Sequence, residues 1–110
     1  MPTSFKHVIE NSIGTSPVNI LETPVGFRIT VIGCNLVNVT DYDNVVVDVF
    51  ITDGASSQAY YVKGAVIPPN TSLKVVTNGE KLILPEGAGL RIVSDLADSV
   101  DATISYVELS

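Results

Sequence analysis

Few side chains in this sequence could carry out chemistry, and the two most reactive types occur once each. His7 is the only histidine and Cys34 is the only cysteine. A catalytic triad, a histidine base or a histidine metal site would all need His7, which lies beside Lys6 near the start of the chain, where the rigid placement that catalysis requires is not expected. Cys34 lies in an apolar stretch with no adjacent basic residue, which favours core packing over a reactive thiol. A single cysteine also excludes an intrachain disulfide.

Acidic residues provide the only other candidates for a reactive or metal-binding site. Two loops are rich in side-chain oxygens of the kind that calcium binds: Asp41, Asp43 and Asn44 in one, and Asp95, Asp98 and Asp101 in the other. Neither loop has the spacing of a calcium-binding helix–loop–helix motif, and aspartate favours turns for purely local reasons. A pair of carboxylates for glycoside hydrolysis needs a cleft, whereas Glu80 and Glu86 flank a predicted hairpin at positions that we expect to face solvent. We therefore expect no enzyme activity and no cofactor.

The charge distribution excludes further classes of function. The net charge is −6, and the six basic residues are spread along the chain. Without a basic cluster, binding to nucleic acid or to an anionic membrane surface is disfavoured. The start of the chain lacks the basic and then apolar order of a signal peptide, so we expect a protein made in a cytosol. Only 16% of residues are charged, a low value that hints at surface covered by neighbouring subunits.

Two Asn-X-Ser/Thr sequences, at Asn38 and Asn70, fit the acceptor pattern for N-glycosylation. In a chain without a secretion signal, we interpret both as chance matches.

Short strands separated by turn residues dominate the rest of the sequence. Residues 45–52 form the strongest predicted strand, in which Val45, Val47, Val49 and Ile51 line one face. Residues 27–32 alternate in the same way until Gly33, where we predict a bulge or bend. Strands at intervals of about 8–12 residues, with no convincing helical period, indicate an all-β sandwich or small barrel.

The stretch from Ile67 to Ile92 shows the same pattern most compactly. Leu73 and Val75 alternate with polar residues, and a second alternating run follows the Asn78-Gly79 turn signal. A third run begins after Gly87 and Gly89. We predict that these three runs form an antiparallel meander with one apolar face.

The predicted organisation is a single antiparallel β-sandwich of residues 14–110, either jelly-roll or immunoglobulin-like. Residues 1–13 precede it as an N-terminal arm or an edge strand. Apolar residues at 5, 8, 9 and 13 could also suit one or two helical turns.

The second half of the chain resembles a known family. The resemblance is carried by four segments: Ile67-Pro-Pro-Asn-Thr-Ser-Leu, Gly79-Glu-Lys-Leu-Ile-Leu, Gly87-Ala-Gly-Leu-Arg-Ile-Val-Ser and Val100-Asp-Ala-Thr-Ile-Ser-Tyr-Val-Glu-Leu. Together they resemble the ending of small β-sandwich virion proteins of tailed bacteriophages. The resemblance covers about residues 60–110. It describes strands and turns and brings no active site with it.

The resemblance implies a structural subunit of a virion, assembled in the host cytoplasm. Its first implication is a capsid decoration (cement) protein, often a trimer, that stabilises the head by contacts with the major capsid protein or other virion proteins. A tail, neck or baseplate component is the alternative, and a module that binds host glycans is a third possibility. We expect the interface to use Phe5, His7 and Ile9 in the first segment and Tyr60 and Tyr61 in a central strand. Packing of the two tyrosines into the sheet core is an equal alternative.

Overall fold

The computed structural model describes residues 3–53, 57–76 and 81–110. This part of the chain contains nine β-strands: β1 (Thr3–Ile13), β2 (Val18–Glu22), β3 (Arg28–Asn38), β4 (Val45–Thr52), β5 (Gln58–Ile67), β6 (Ser72–Val76), β7 (Leu82–Leu84), β8 (Gly89–Ser94) and β9 (Val100–Leu109). No helix long and apolar enough to cross a membrane occurs in it. The strands form two antiparallel sheets packed together, which confirms the predicted all-β sandwich.

The strand order identifies the sandwich as a jelly roll. Sheet A has the order β1-β9-β3-β6, with β7 also paired to β3, and sheet B has the order β2-β8-β4-β5. The pairings β4–β5, β3–β6/β7, β2–β8 and β1–β9 are nested, as in one long hairpin ribbon. The ribbon rolls up because β9 also pairs with β3 and β8 with β4.

The core lies between the inward faces of the two sheets. Val45, Val47 and Val49 of β4 are fully buried, as their alternation predicts. They face Ile104 of β9 and the other inward residues of sheet A within one continuous apolar cluster. This cluster holds the two sheets as one rigid unit.

A bulge in β3 re-aims its side chains. Ile29 and Val31 point into the core, and beyond the bulge Cys34 and Leu36 do so. The ladder between β3 and β9 shifts register between Val31 and Gly33. The prediction of a bulge near Gly33 is therefore confirmed. One extra residue in β3 shifts the alternation by one position, so that apolar side chains return to the core face.

The predicted meander of residues 67–92 is wrong. β6 and β7 both pair with β3, while β8 lies in the opposite sheet between β2 and β4. Between β7 and β8, the Ala88 N–H donates to the Pro85 carbonyl at 2.9 Å, and Gly87 has a φ of 86°. This turn carries the chain from one sheet to the other. The Asn78-Gly79 turn lies outside the described residues.

Buried polar groups fix the end of the sandwich where β1, β3, β5 and β8 finish. The Asn38 side chain is fully buried, and its Nδ2 donates to the carbonyls of Asp43 and Ile67, both at 2.8 Å. Its Oδ1 accepts from the Thr40 N–H at 2.9 Å and from the Thr40 hydroxyl at 2.7 Å. Asn38 is therefore a structural residue, since a fully bonded buried amide offers no site for a glycan.

Candidate interaction surface

The outer face of β1 presents a row of exposed side chains that we call the β1 row: Phe5, His7 and Ile9. The strand alternation fixes their direction, because Val8 between them packs toward the core. Phe5 is 81% exposed and Ile9 is 63% exposed. Their partners across the ladder in β9 are Val107 for Phe5 and Thr103 for Ile9. The row therefore stands on a strand that pairs with β9 and is not a loose arm.

β1 is also an edge strand, with no strand paired on its far side within the described residues. Residues 3–10 pair with β9 in unbroken register over eight consecutive positions, and the register shifts only between Glu10 and Ile13. An edge of this length and regularity presents a row of backbone N–H and C=O groups on which another strand can pair.

The other three edges are less suited to pairing. β2 has five residues and a register shift between Asn19 and Leu21. The edge beyond β3 is divided between β6 and β7, of five and three residues. β5 has ten residues but two register shifts, with Gly64 at a φ of 67° and its N–H held by the Asp48 carboxylate at 2.7 Å. Short strands and bulges are the devices by which proteins block edge pairing, and β1 lacks them over residues 3–10.

An ion pair links the first half of β1 to β9. Lys6 Nζ donates to Glu108 Oε1 of β9 at 2.7 Å. The hydrogen bond from the Lys6 ammonium to Glu108, together with the attraction of its charge, raises the pKa of Lys6. The pair is exposed, so it orients this end of the strand more than it stabilises the fold.

Tyr60 and Tyr61 point to different environments. Tyr60 is 51% exposed on the outer face of sheet B, with its ring centroid 4.6 Å from that of Phe50 and with Lys63 Nζ at 5.0 Å from it. Tyr61 falls at a register shift of β5 and packs partly buried against the core. Exposure at the surface therefore applies to Tyr60, which faces solvent, and packing toward the core applies to Tyr61, which faces inward.

The structure does not bring the two predicted interface segments together. β1 lies next to β2 at one side of the sandwich, and β5 lies next to β6 at the other. The β1 row and Tyr60 also project from the outer faces of opposite sheets. They can therefore serve only as two separate surfaces.

A shallow depression of about 590 Å³ lies on the outer face of sheet A, beside the bulge of β3. Its lining includes Asn35, Lys74, Thr103 and Ser105. The Asn35 Oδ1 atom is buried and has no hydrogen-bond partner among the described residues. The depression adjoins Val76, the last residue described before residues 77–80.

The acidic residues act on the backbone of their own chain. Asp95 Oδ1 accepts the Val46 N–H at 2.9 Å, and Asp101 Oδ1 accepts the Ser12 N–H at 3.0 Å. Glu86 Oε2 accepts the Gly26 N–H at 3.1 Å. Among the described residues, no group of three or more His, Cys, Asp or Glu side chains could hold a metal ion. Glu80 lies outside the described residues.

The surroundings of His7 and Cys34 do not favour reactivity. The His7 side chain is exposed and makes no hydrogen bond or ion pair with the described part of the chain. Cys34 is 2% exposed, and burial raises the pKa of its thiol to about 12. A thiol that stays protonated at neutral pH is a poor nucleophile.

Sequence reasoning offered residues 1–13 as an arm or an edge strand, and the structure has an edge strand there. It missed an apolar residue of another strand that is exposed on the same outer face. Ile83 of β7 is 66% exposed on the same outer face as the β1 row, at its other edge. One signal in the sequence does point to the edge: β1 contains no glycine or proline, whereas β5 contains Gly64.

Comparison with known proteins gives the fold a distant counterpart. Neither a family of known proteins nor a curated protein sequence matches the chain. One solved structure is similar, with a TM-score of 0.57 and 13% sequence identity over 98% of this chain and 88% of the other. It comes from Bacillus endospore appendages, described as a novel family of disulfide-linked pili. At this identity the likeness shows a shared β-sandwich fold with a structural pilus protein.

Proposed function

We propose that this chain is a non-enzymatic structural subunit that works by assembling with other protein chains, including copies of itself, through β1. One observation carries the proposal: the only long and regular sheet edge in the described part of the chain lies beside exposed Phe5 and Ile9. Backbone groups along such an edge give affinity, and the apolar row beside it gives a partner something to bury.

The polar groups of the described residues support a structural role. The carboxylates of Asp95, Asp101 and Glu86 accept N–H groups of the protein backbone. The single histidine is solvated, and the single thiol lies in the core. None of these groups has the neighbours that a nucleophile or a general base needs.

Within this role, the finer proposal is a virion protein of a tailed bacteriophage. It rests on the resemblance of residues 60–110 to phage β-sandwich proteins, and the jelly-roll order of the strands is compatible with it, since this architecture occurs in viral capsid proteins. A capsid decoration protein bound to the major capsid protein is the first candidate. A tail, neck or baseplate component is the second.

The likeness to a pilus protein supports assembly in general, with a different chemistry. The pili of that protein are described as disulfide-linked. The single cysteine of this chain is buried in the core, so an assembly of folded copies would be held by non-covalent contacts.

Binding of a glycan is less well supported. Tyr60 is the exposed aromatic residue of β5, but its ring already packs on Phe50 and lies under the Lys63 ammonium. A sugar stacking on this ring would have to displace one of the two contacts.

Sedimentation equilibrium of the purified chain across the micromolar range tests the proposal. We expect self-association that is lost in the double variant Phe5→Ser with Ile9→Ser. The matched control is Ile83→Ser, which removes an apolar side chain of similar exposure from the opposite edge of the same face. A trimeric mass would favour the decoration role and would be followed by binding to emptied capsids. A monomer at every concentration, or equal association in both variants, would refute assembly of copies through β1.

A further inference from the structure

We infer that two copies of this chain join β1 to β1 as an antiparallel, two-fold pair centred on His7, which makes one continuous sheet from the two copies of sheet A. The inference rests on the proposed function and names the partner of the β1 edge. It follows from two properties of β1, its open backbone edge and the symmetric spacing of its apolar side chains, and the charges of the strand are compatible with it.

The backbone requirement is met by length and regularity. Residues 3–10 hold an unbroken register with β9, so their far-side N–H and C=O groups are evenly spaced for a further antiparallel strand. A second copy of the same strand has the same spacing and the same length. A two-fold contact needs no other surface, because each copy supplies the same patch to its partner.

The spacing of the β1 row selects the register. Phe5 and Ile9 lie at equal distances before and after His7. An antiparallel copy centred on His7 therefore sets Phe5 opposite Ile9 of the second copy, and does so twice. Pairs of an aromatic and a β-branched residue are among the favourable cross-strand pairs, and both side chains are now largely exposed.

Charge is compatible with this register and does not select another. On the inner face, Lys6 comes opposite Val8 of the second copy, with Glu10 of that copy on one diagonal and Lys6 of that copy on the other. A register centred on Val8 would set Lys6 directly against Glu10. The gain from that ion pair is small because Lys6 already binds Glu108 at 2.7 Å. The Val8-centred register would also leave Phe5 opposite the polar Asn11.

Disulfide trapping tests the register. His7→Cys, in a Cys34→Ala background, places two thiols opposite each other on the two-fold axis, where the Cα separation of a paired strand suits a disulfide. We expect a cross-linked dimer under mild oxidation, formed about a hundredfold faster than by the control Ile83→Cys, since pairing raises the local thiol concentration from micromolar to millimolar. Far-UV circular dichroism and the melting temperature of each variant, compared with the parent, verify that it is folded.

A mixing experiment checks the same register independently. Phe5→Cys mixed with Ile9→Cys is expected to give the mixed dimer, while each variant alone gives little. Trapping of His7→Cys with Ile9→Cys instead would overturn the inference in favour of a Val8 centre. Association that depends on Phe5 and Ile9 but gives no trapped dimer, or a trimer, would overturn the two-fold pairing and leave the proposed function standing. A monomer at all concentrations would overturn both the two-fold pair and the assembly of copies through β1.

Discussion

Replacement of Asn38 by alanine is the sharpest test of how the sandwich holds its shape. The Asn38 side chain is fully buried and makes four hydrogen bonds to three residues: Thr40 and Asp43 of the β3–β4 connection, and Ile67 at the end of β5. Asn38→Ala removes all four and leaves their partners behind. A buried donor or acceptor left unpaired costs about 1–3 kcal/mol, and the carbonyl of Ile67 is the most strongly affected because Ile67 itself is buried.

The expected loss can be estimated from the three partners. Asp43 is exposed, so water can replace the bond to its carbonyl, and the Thr40 hydroxyl can still donate to that carbonyl at 2.9 Å. The Ile67 carbonyl and the N–H of the half-buried Thr40 lose their bonds at near full cost. We expect the free energy of unfolding to fall by about 3 kcal/mol. A domain of this size has a total stability of about 5–15 kcal/mol, so the effect is large but leaves a folded protein.

Urea denaturation followed by far-UV circular dichroism measures this loss as a shift of the midpoint at constant slope. Asn35→Ala is the matched control on the same strand, because Asn35 Oδ1 is buried without a partner among the described residues and its removal should cost less than about 1 kcal/mol. A loss below about 1 kcal/mol for Asn38→Ala, or equal losses for the two variants, would refute the structural role of Asn38.

Two further predictions concern the core and the backbone. Burial raises the pKa of Cys34 to about 12 from 9.0, so the unfolded chain ionises above pH 9 while the native thiol stays protonated. Stability should therefore fall between pH 9 and 12 by up to about 1.4 kcal/mol per pH unit, and Cys34→Ala should reduce this slope in alkaline denaturation curves. Gly89→Ala should destabilise by about 2 kcal/mol, since its Cβ would lie 2.6 Å from the Leu21 carbonyl oxygen, whereas Gly33→Ala meets nothing within 4 Å and should melt near the parent temperature. An unchanged alkaline slope, or equal melting temperatures for the two glycine variants, would contradict these assignments.

Local periodicity predicted the strands well because alternation directly reports which face is buried. Val45, Val47 and Val49 were assigned to one face, and all three are fully buried. The bulge at Gly33 could also be predicted, since the break in alternation there has only one structural remedy.

Strand partners could not be predicted from the same signal. Alternation says that a residue faces a core but does not say which strand lies beside it, so adjacent runs were assigned to one meander. In the fold, Leu84 belongs to sheet A and Leu90 to sheet B, and the turn at Pro85 and Gly87 separates them. The nested pairing of a jelly roll depends on contacts far apart in sequence, which a short window does not record.

The candidate surface was predicted in part. Phe5, His7 and Ile9 were named together and do share one exposed row. Tyr60 and Tyr61 were treated as a pair, and a register shift in β5 gives them different environments. The role of Asn38 was not predicted, because its bond to the Ile67 carbonyl and its burial arise only in the folded chain, although its other partners, Thr40 and Asp43, lie close to it in sequence.

Hydrogen–deuterium exchange at several protein concentrations tests most directly whether β1 is an interface. Peptides covering residues 3–13 should take up deuterium more slowly as the concentration rises, because amide groups at the open edge become paired. Peptides covering residues 58–67, the edge strand of the other sheet, should show no such change. Uptake in residues 3–13 that is independent of concentration while the chain self-associates would contradict assembly through β1.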